Sequence, residues 1–489
     1  MSDLTKMTDQ VLHRSRAAFE IYRTISGKRR AEFLDAVAAA IESGSASIVA
    51  AAMKETNLPE PRLAGERVRT CNQLRQFSAM LREGSWVEAR IDTAIPDRQP
   101  LPKPDIRKML IPIGPVVVFG ASNFPMAYST AGVDTASALA AGCSVVLKGH
   151  PAHPETSRMV AALITEAARS TGMPEDVFIH VEEPGFEIGK LLVQHPYTKA
   201  VGFTGSFSGG KALYDYAQAR PEPIPVFSEM GSINPVYILP DALGARAEQI
   251  GEQYAVSITQ SVGQFCTNPG LLISLKSSAL NDFKNLLAAK LQKIAPAPML
   301  HAGISKSFYS KRAEALKQKG VELIVQSTAD QPEGQGVPTL AAVSGKDFLA
   351  NPLLSEEVFG PYSLLVEAED QKEFEQIARA VPGQLTSTLM AEPGDLSNSA
   401  ELIKIISDKA GRMILNGVPT GVEVCPSMHH GGPFPATTDS RFSSVGTDAV
   451  KRFVRPLSYQ GFPEHALPDE LKTSNPLEIW RLFNNAWTK

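Results

Sequence analysis

The chain is poor in cysteine. Cys71, Cys143, Cys266 and Cys425, four in 489 residues, stand too far apart for a disulfide scaffold or a thiolate cage around a metal, and they suit a reducing compartment. Charge of one sign is also missing: 48 basic and 52 acidic residues are mixed along the chain, so no basic stripe exists for a nucleic-acid backbone. No uninterrupted apolar run reaches the roughly 18 residues of a membrane-crossing helix, and the first residues carry an early acid without a signal-peptide core. A cytoplasmic, unexported protein is expected. Internal repeats and low-complexity segments are absent as well, and no strand opens into the Gly-x-Gly-x-x-Gly fingerprint of dinucleotide binding.

What is present is 43% hydrophobic content, far more than one small core uses, which predicts two large domains, with or without a minor appendage. From 11 to about 83, apolar residues recur at helical spacing between charges, and a helical region is expected. The segment 85–92 alternates like a strand, and the proline-rich 95–104 reads as turns or extended chain, an excursion able to carry a strand outward to another subunit. Strand-like runs at 116–119, 144–147, 177–180 and 200–203 then alternate with helical runs at 129–140, 155–170 and 186–194. The economical solution is a parallel sheet with helices on both faces. Alternation restarts at 235–238, with a helix at 245–262, a strand at 271–275 and an amphipathic stretch at 279–293, which predicts a second α/β domain. The tail, holding Trp480 and Trp487 among scattered prolines, is too irregular for its own core and should dock on the rest.

Cys266 lies in the uncharged run GQFCTNPG at 263–270, where Gly263 and Gly270 free the backbone and no bulky charge crowds the thiol. Glu229 precedes Gly231, where a strand or turn ends. A thiol and a carboxylate are the nucleophile and base of a covalent route from aldehyde to acid: the thiolate attacks, hydride departs, and base-activated water releases the product. The oxyanion needs donors already in place, and Asn123, in ASNFP at 121–125, together with the backbone N–H of Cys266 can supply them. For a hydride acceptor, VGFTGS at 201–206 runs from a strand into a helix whose free N–H groups can face a pyrophosphate. The spacing from Gly205 to Lys211 imitates a nucleotide-triphosphate loop, but Ala212 stands where a magnesium-holding hydroxyl belongs. Lys148 ends a strand and can meet an adenosine ribose or its 2′-phosphate. Because 149–152 hold no carboxylate to bind a ribose hydroxyl or repel a phosphate, NADP is favoured over NAD. His150 with His153, and His429 with His430, lack accompanying carboxylate or thiolate sets and read as structural, so no metal is expected.

Taken together, ASNFP at 121–125, VVLK at 145–148, GFTGS at 202–206, EMG at 229–231, GQFC at 263–266, EEVFGP at 356–361 and NGVP at 416–419 resemble the aldehyde dehydrogenase superfamily over roughly 20–460. The resemblance implies Cys266 as nucleophile, Glu229 as base, Asn123 as oxyanion donor, Lys148 on the adenosine ribose, Gly205 and Ser206 at the pyrophosphate, and Glu357 with Phe359 around the nicotinamide ribose. It implies an α/β fold with a Rossmann-type cofactor domain (1–84 and 110–230), an α/β catalytic domain (231–445) and a bridging sheet (85–109 and 446–489) that builds homodimers or homotetramers. Gly149 replaces the family's common proline after the lysine, and Pro151 its glutamate, which weakens NAD preference; Phe265 and Thr267 alter the surroundings of the thiol.

The blocks FGASNFP at 119–125, KGHP at 148–151 and HGGPFPATTDSR at 430–441 are most similar to the branch acting on 2-oxoglutarate semialdehyde, with NADP-dependent long-chain aldehyde oxidation as the rival. A dicarboxylate product calls for a cationic clamp beyond the thiol, and Arg158 and Arg441 are the candidates. Glu229 speaks for hydrolysis of the acyl-enzyme over transfer to coenzyme A.

Overall fold

The computed structural model describes residues 2–489. Four helices, Asp3–Tyr22, Gly27–Ser43, Ser45–Thr56 and Glu60–Glu83, occupy the region of N-terminal helical periodicity. Phe33, Leu34, Val37, Leu74 and Phe77 are buried where these helices pack on one another and on a parallel five-stranded sheet. Its strand order is Phe178–Val181, Val145–Lys148, Val116–Phe119, Ala200–Thr204, Val226–Glu229. The chain starts in the middle at Val116–Phe119, builds two strands outward on one side, then returns to build two on the other. Such a reversal opens a crevice at the carboxyl ends of the strands, the place where open α/β sheets bind ligands. Lys148 and Glu229 end their strands there, and 120–123 and 205–206 follow theirs.

From Glu229 the chain crosses into a seven-stranded sheet ordered Glu322–Gln326, Thr339–Ser344, Tyr362–Ala368, Leu271–Leu275, Val236–Ile238, Gln384–Met390, Ala410–Leu415. Every pair is parallel except the edge strand Glu322–Gln326, which runs antiparallel. Cys266 sits in the loop just before Leu271, so the amino end of this sheet faces the carboxyl end of the first. A third sheet joins distant pieces: Val454–Gln460, Ile106–Pro112, Arg90–Asp92, Arg481–Phe483 and Ala486–Thr488. The irregular tail therefore supplies two of its strands, and Leu467, Leu471 and Ile479 fill the small core beneath with Ile91 and Met109. No single helix among the described residues is long and apolar enough to cross a membrane.

Three local expectations shift. Within 85–92 only Arg90–Asp92 is a strand; Ser85–Val87 is a 3-10 turn bracketed by Gly84 (φ 84°) and Glu88 (φ 52°), whose left-handed backbone breaks the alternation. The run at 129–140 becomes helical only at Val133, because the buried Glu66 carboxylate accepts the Met126 and Ala127 N–H groups at 2.8 Å each and holds the preceding chain in turns. The helix expected at 245–262 spans Pro240–Thr259: Pro240 opens it, and Asp395 accepts from the Asp241 and Ala242 N–H groups, a cap 154 residues away in sequence.

Candidate active site

Three consecutive left-handed residues, Ser261, Val262 and Gly263 (φ 47°, 58° and 65°), separate the helix from the thiol. A β-branched residue in that region is strained, and the neighbours hold it there. Gly263 has no room for a side chain, since a Cβ would lie 2.3 Å from the carbonyl of Gly360. The turn thus presses the nucleophile loop against the Glu356–Pro361 segment. Asn123 Nδ2 donates to the Gln264 carbonyl at 3.2 Å, which brings its amide to the same loop. Gln264 in turn accepts the Leu300 N–H through its own side chain.

The chemistry converges on one histidine nitrogen. His430 Nε2 lies 3.5 Å from Cys266 Sγ and 3.2 Å from Glu229 Oε1, while Ser444 Oγ donates to Glu229 Oε2 at 2.7 Å. Glu229 and His430 are buried and Cys266 is half-buried. Burial alone would drive the Glu229 carboxyl upward, but His430 and Ser444 outweigh it and hold the group below the ordinary carboxylate range. Burial and the adjacent Glu229 charge push the Cys266 thiol well above its ordinary value. Both causes favour the protonated thiol, and Glu229 and His430 are the proton acceptors beside it.

His430 was read from sequence as structural, and nothing local marks it otherwise: it is 164 residues from the thiol and 201 from the carboxylate. Ser444 and Glu66 carry no sequence signal either. Glu229, Cys266 and His430 hold donor atoms within 4.8 Å of one another, a spacing a soft cation could use.

On the sheet side, Lys148 is buried at its strand end, and burial lowers its ammonium. Ser206 caps the Phe207–Gln218 helix, accepting the Gly209 N–H at 3.2 Å, and the Gly205 N–H donates to the Glu229 carbonyl at 3.0 Å. Glu357 and Phe359 line a cavity with Ser232, Gly263 and Asn268. Gly231 permits the close approach of Glu357, whose Oε2 would be 2.6 Å from a Cβ there. Burial raises the Glu357 carboxyl to about 7, against the opposing Lys311 charge and Ser232 N–H. A cationic strand end, an open helix start and a carboxylate over a glycine fit a dinucleotide laid along the crevice.

The two clamp arginines are not gathered at the thiol. Arg158 pairs with Glu182 at 2.8 Å, just past the strand whose Val181 is in register with Lys148, so it borders the far end of the crevice. Arg441 is exposed and forks onto Asp439, two residues away.

The Aldehyde dehydrogenase family model matches residues 4–440. The chain belongs to this family. It is 47% identical over 468 residues to alpha-ketoglutaric semialdehyde dehydrogenase 2 of Azospirillum brasilense, covering 96% of this chain and 89% of the relative. It is 45% identical over 482 residues to alpha-ketoglutaric semialdehyde dehydrogenase of Acinetobacter baylyi, with 98% and 91% covered. Among solved structures, betaine aldehyde dehydrogenase of Staphylococcus aureus in complex with NAD+ superposes with a TM-score of 0.79 at 19% identity, covering 93% of this chain and 89% of that one. That likeness places this aldehyde dehydrogenase in the family fold.

Proposed function

We propose that this aldehyde dehydrogenase oxidises 2-oxoglutarate semialdehyde to 2-oxoglutarate, with NADP preferred to NAD. The observation that carries the chemistry is the shared contact of His430 Nε2 with the Cys266 thiol and the Glu229 carboxylate. The two relatives named for this substrate, each alike over nearly the whole chain, support the choice of aldehyde. The absence of a carboxylate at 149–152 beside Lys148 supports NADP.

In this reading the Cys266 proton passes to His430 or Glu229 as Sγ bonds to the aldehyde carbon. The Asn123 amide and the Cys266 backbone N–H receive the oxyanion. A bound nicotinamide cofactor supplies the hydride acceptor; Lys148, Gly205, Ser206, Glu357 and Phe359 would hold it. The acyl group is then a thioester on Cys266. Glu229, kept ionised, takes a proton from water as the oxygen attacks the thioester carbon, and Sγ leaves as the thiolate. The third sheet ends in the open strands Val454–Gln460 and Ala486–Thr488, with Trp487 68% exposed, and we propose it as the joint of a homodimer or homotetramer.

Initial-rate kcat/KM for 2-oxoglutarate semialdehyde, succinate semialdehyde and a long-chain aldehyde, each with NADP and with NAD, tests the proposal. Highest efficiency for the first with NADP is expected. Preference for the long-chain aldehyde would replace the substrate while retaining the thiol, and acid formation by Cys266→Ala would overturn the mechanism.

A further inference from the structure

Arg69 and Arg412 are two guanidinium groups that form no salt bridge among the described residues. Arg69 projects from the Glu60–Glu83 helix and Arg412 from the Ala410–Leu415 strand, so they enter from different domains. Arg69 Nη2 donates to Tyr128 Oη at 3.1 Å, and its guanidinium lies 5.3 Å from the centre of that ring. The Tyr128 ring neighbours the His430 ring at 6.3 Å, and His430 touches the thiol. Arg412 donates through Nη2 to the Pro419 and Gly421 carbonyls at 2.9 and 3.2 Å and points Nη1 toward Met428 Sδ. The helix and this segment are in contact, for Gln76, seven residues on from Arg69, donates to the Val424 carbonyl at 2.8 Å. Gly411, next to Arg412, packs against Gly431, next to His430: a Cβ on Gly411 would lie 2.0 Å from the Gly431 carbonyl.

The nearest carboxylate on the helix is already engaged. Glu66 accepts from Arg62 at 2.6 Å and from two backbone N–H groups. Arg62 itself stacks on Phe124 at 4.2 Å and completes one wall. The Nε atoms of Arg69 and Arg412 are buried without a hydrogen-bond partner. A protein that withdraws guanidinium groups from water normally gives them an anion, because an uncompensated buried charge is costly. Here no carboxylate among the described residues pairs with either, and both reach the His430 segment, Arg69 through Tyr128 and Arg412 through its neighbour Gly411.

We propose that Arg69 and Arg412 bind the distal carboxylate of the substrate, one from each domain, while Cys266 receives its aldehyde carbon. This rests on the dicarboxylate-precursor reading above and gives that reading its clamp. In a five-carbon 2-oxo acid semialdehyde the carboxylate carbon is four C–C bonds from the aldehyde carbon, about 5 Å at ~1.5 Å per bond with its zigzag. Guanidinium forks suit a carboxylate, and the 2-oxo oxygen next to it can share a donor. A neutral aldehyde uses the same thiol without the clamp.

The test compares wild type with Arg69→Met, Arg412→Met and Arg69→Lys on 2-oxoglutarate semialdehyde and on uncharged pentanal, with inhibition by the product 2-oxoglutarate as a binding readout. Each methionine variant should lower kcat/KM for the charged substrate by about 10- to 100-fold, mainly through KM, and weaken product inhibition in parallel. Pentanal turnover should stay within a few-fold, and the lysine variant should recover part of the loss. Equal losses on both aldehydes, or unchanged product inhibition, would overturn the clamp while leaving wild-type preference for the semialdehyde intact. A wild type that favours pentanal would overturn the substrate reading, and the clamp with it.

Discussion

Ser444→Ala separates the charge of Glu229 from everything else at the site. The hydroxyl donates to Oε2 at 2.7 Å inside a buried cluster, and the substitution removes one oxygen without adding bulk. Hydrogen bonds to a charged group contribute about 1.5–3 kcal/mol. Losing this one weakens the charged form, so the Glu229 carboxyl rises. The native group is held below its ordinary value, with burial opposed by His430 and Ser444, so the variant hands part of the contest back to burial. The base must be ionised to activate water. The acid limb of the deacylation rate should therefore move to higher pH, with the alkaline plateau kept within a few-fold. Pre-steady-state reduced-cofactor absorbance followed from pH 5 to 9 separates the acylation burst from deacylation. An acid limb that stays in place would refute the assignment of the Ser444 bond to the charged carboxylate, as would one that moves to lower pH.

Other outcomes follow from the same geometry. Glu229→Gln should leave the burst and slow steady turnover, so the ratio of burst to steady rate rises; unchanged deacylation would remove the residue from the role of base. Glu357 is neutral below about 7 and ionised above it. If it accepts from ribose hydroxyls, the KM for the cofactor should fall as pH rises through that value and become flat in Glu357→Gln. Gly263→Ala must meet a left-handed backbone that costs about 1–2 kcal/mol and a Cβ 2.3 Å from the Gly360 carbonyl. The nucleophile loop must shift, and kcat should fall by about 100-fold as judged by single-turnover acylation. Arg452 and Asp134 form a buried pair at 2.7 Å that ties the Val133–Ala141 helix to the Thr447–Phe453 turn. Arg452→Met strands the carboxylate at a cost of about 3–5 kcal/mol and should lower the thermal midpoint, part of which Asp134→Leu in the same chain restores.

Local pattern was enough for the elements and for half of the chemistry. Strand and helix periodicity located the first parallel sheet and the start of a second α/β unit, because a strand buried on two faces is an apolar run wherever it occurs. Cys266, Glu229 and Lys148 stand out in the sequence because each is a reactive side chain within three residues of a glycine. Their partners were not. His430 reaches the thiol across 164 residues and Glu229 across 201, and Ser444 lies 215 from the carboxylate it stabilises. Arg158 and Arg441, the clamp candidates in sequence, pair with Glu182 and Asp439. Arg69, on an ordinary amphipathic helix, has a buried Nε without a partner among the described residues and donates to Tyr128.

The difference has a physical origin. Alternation and composition record which face of an element meets the core, a property each segment carries with it. Whether a polar group is paired depends on which strand lies beside which, and on where the turns after them lead. The order of the first sheet and the left-handed turn at 261–263 set those meetings, whereas the amino-acid sequence alone determined the fold class and singled out the Cys266 thiol and the Glu229 carboxylate. Only the tertiary structure decided which histidine and which serine share their space.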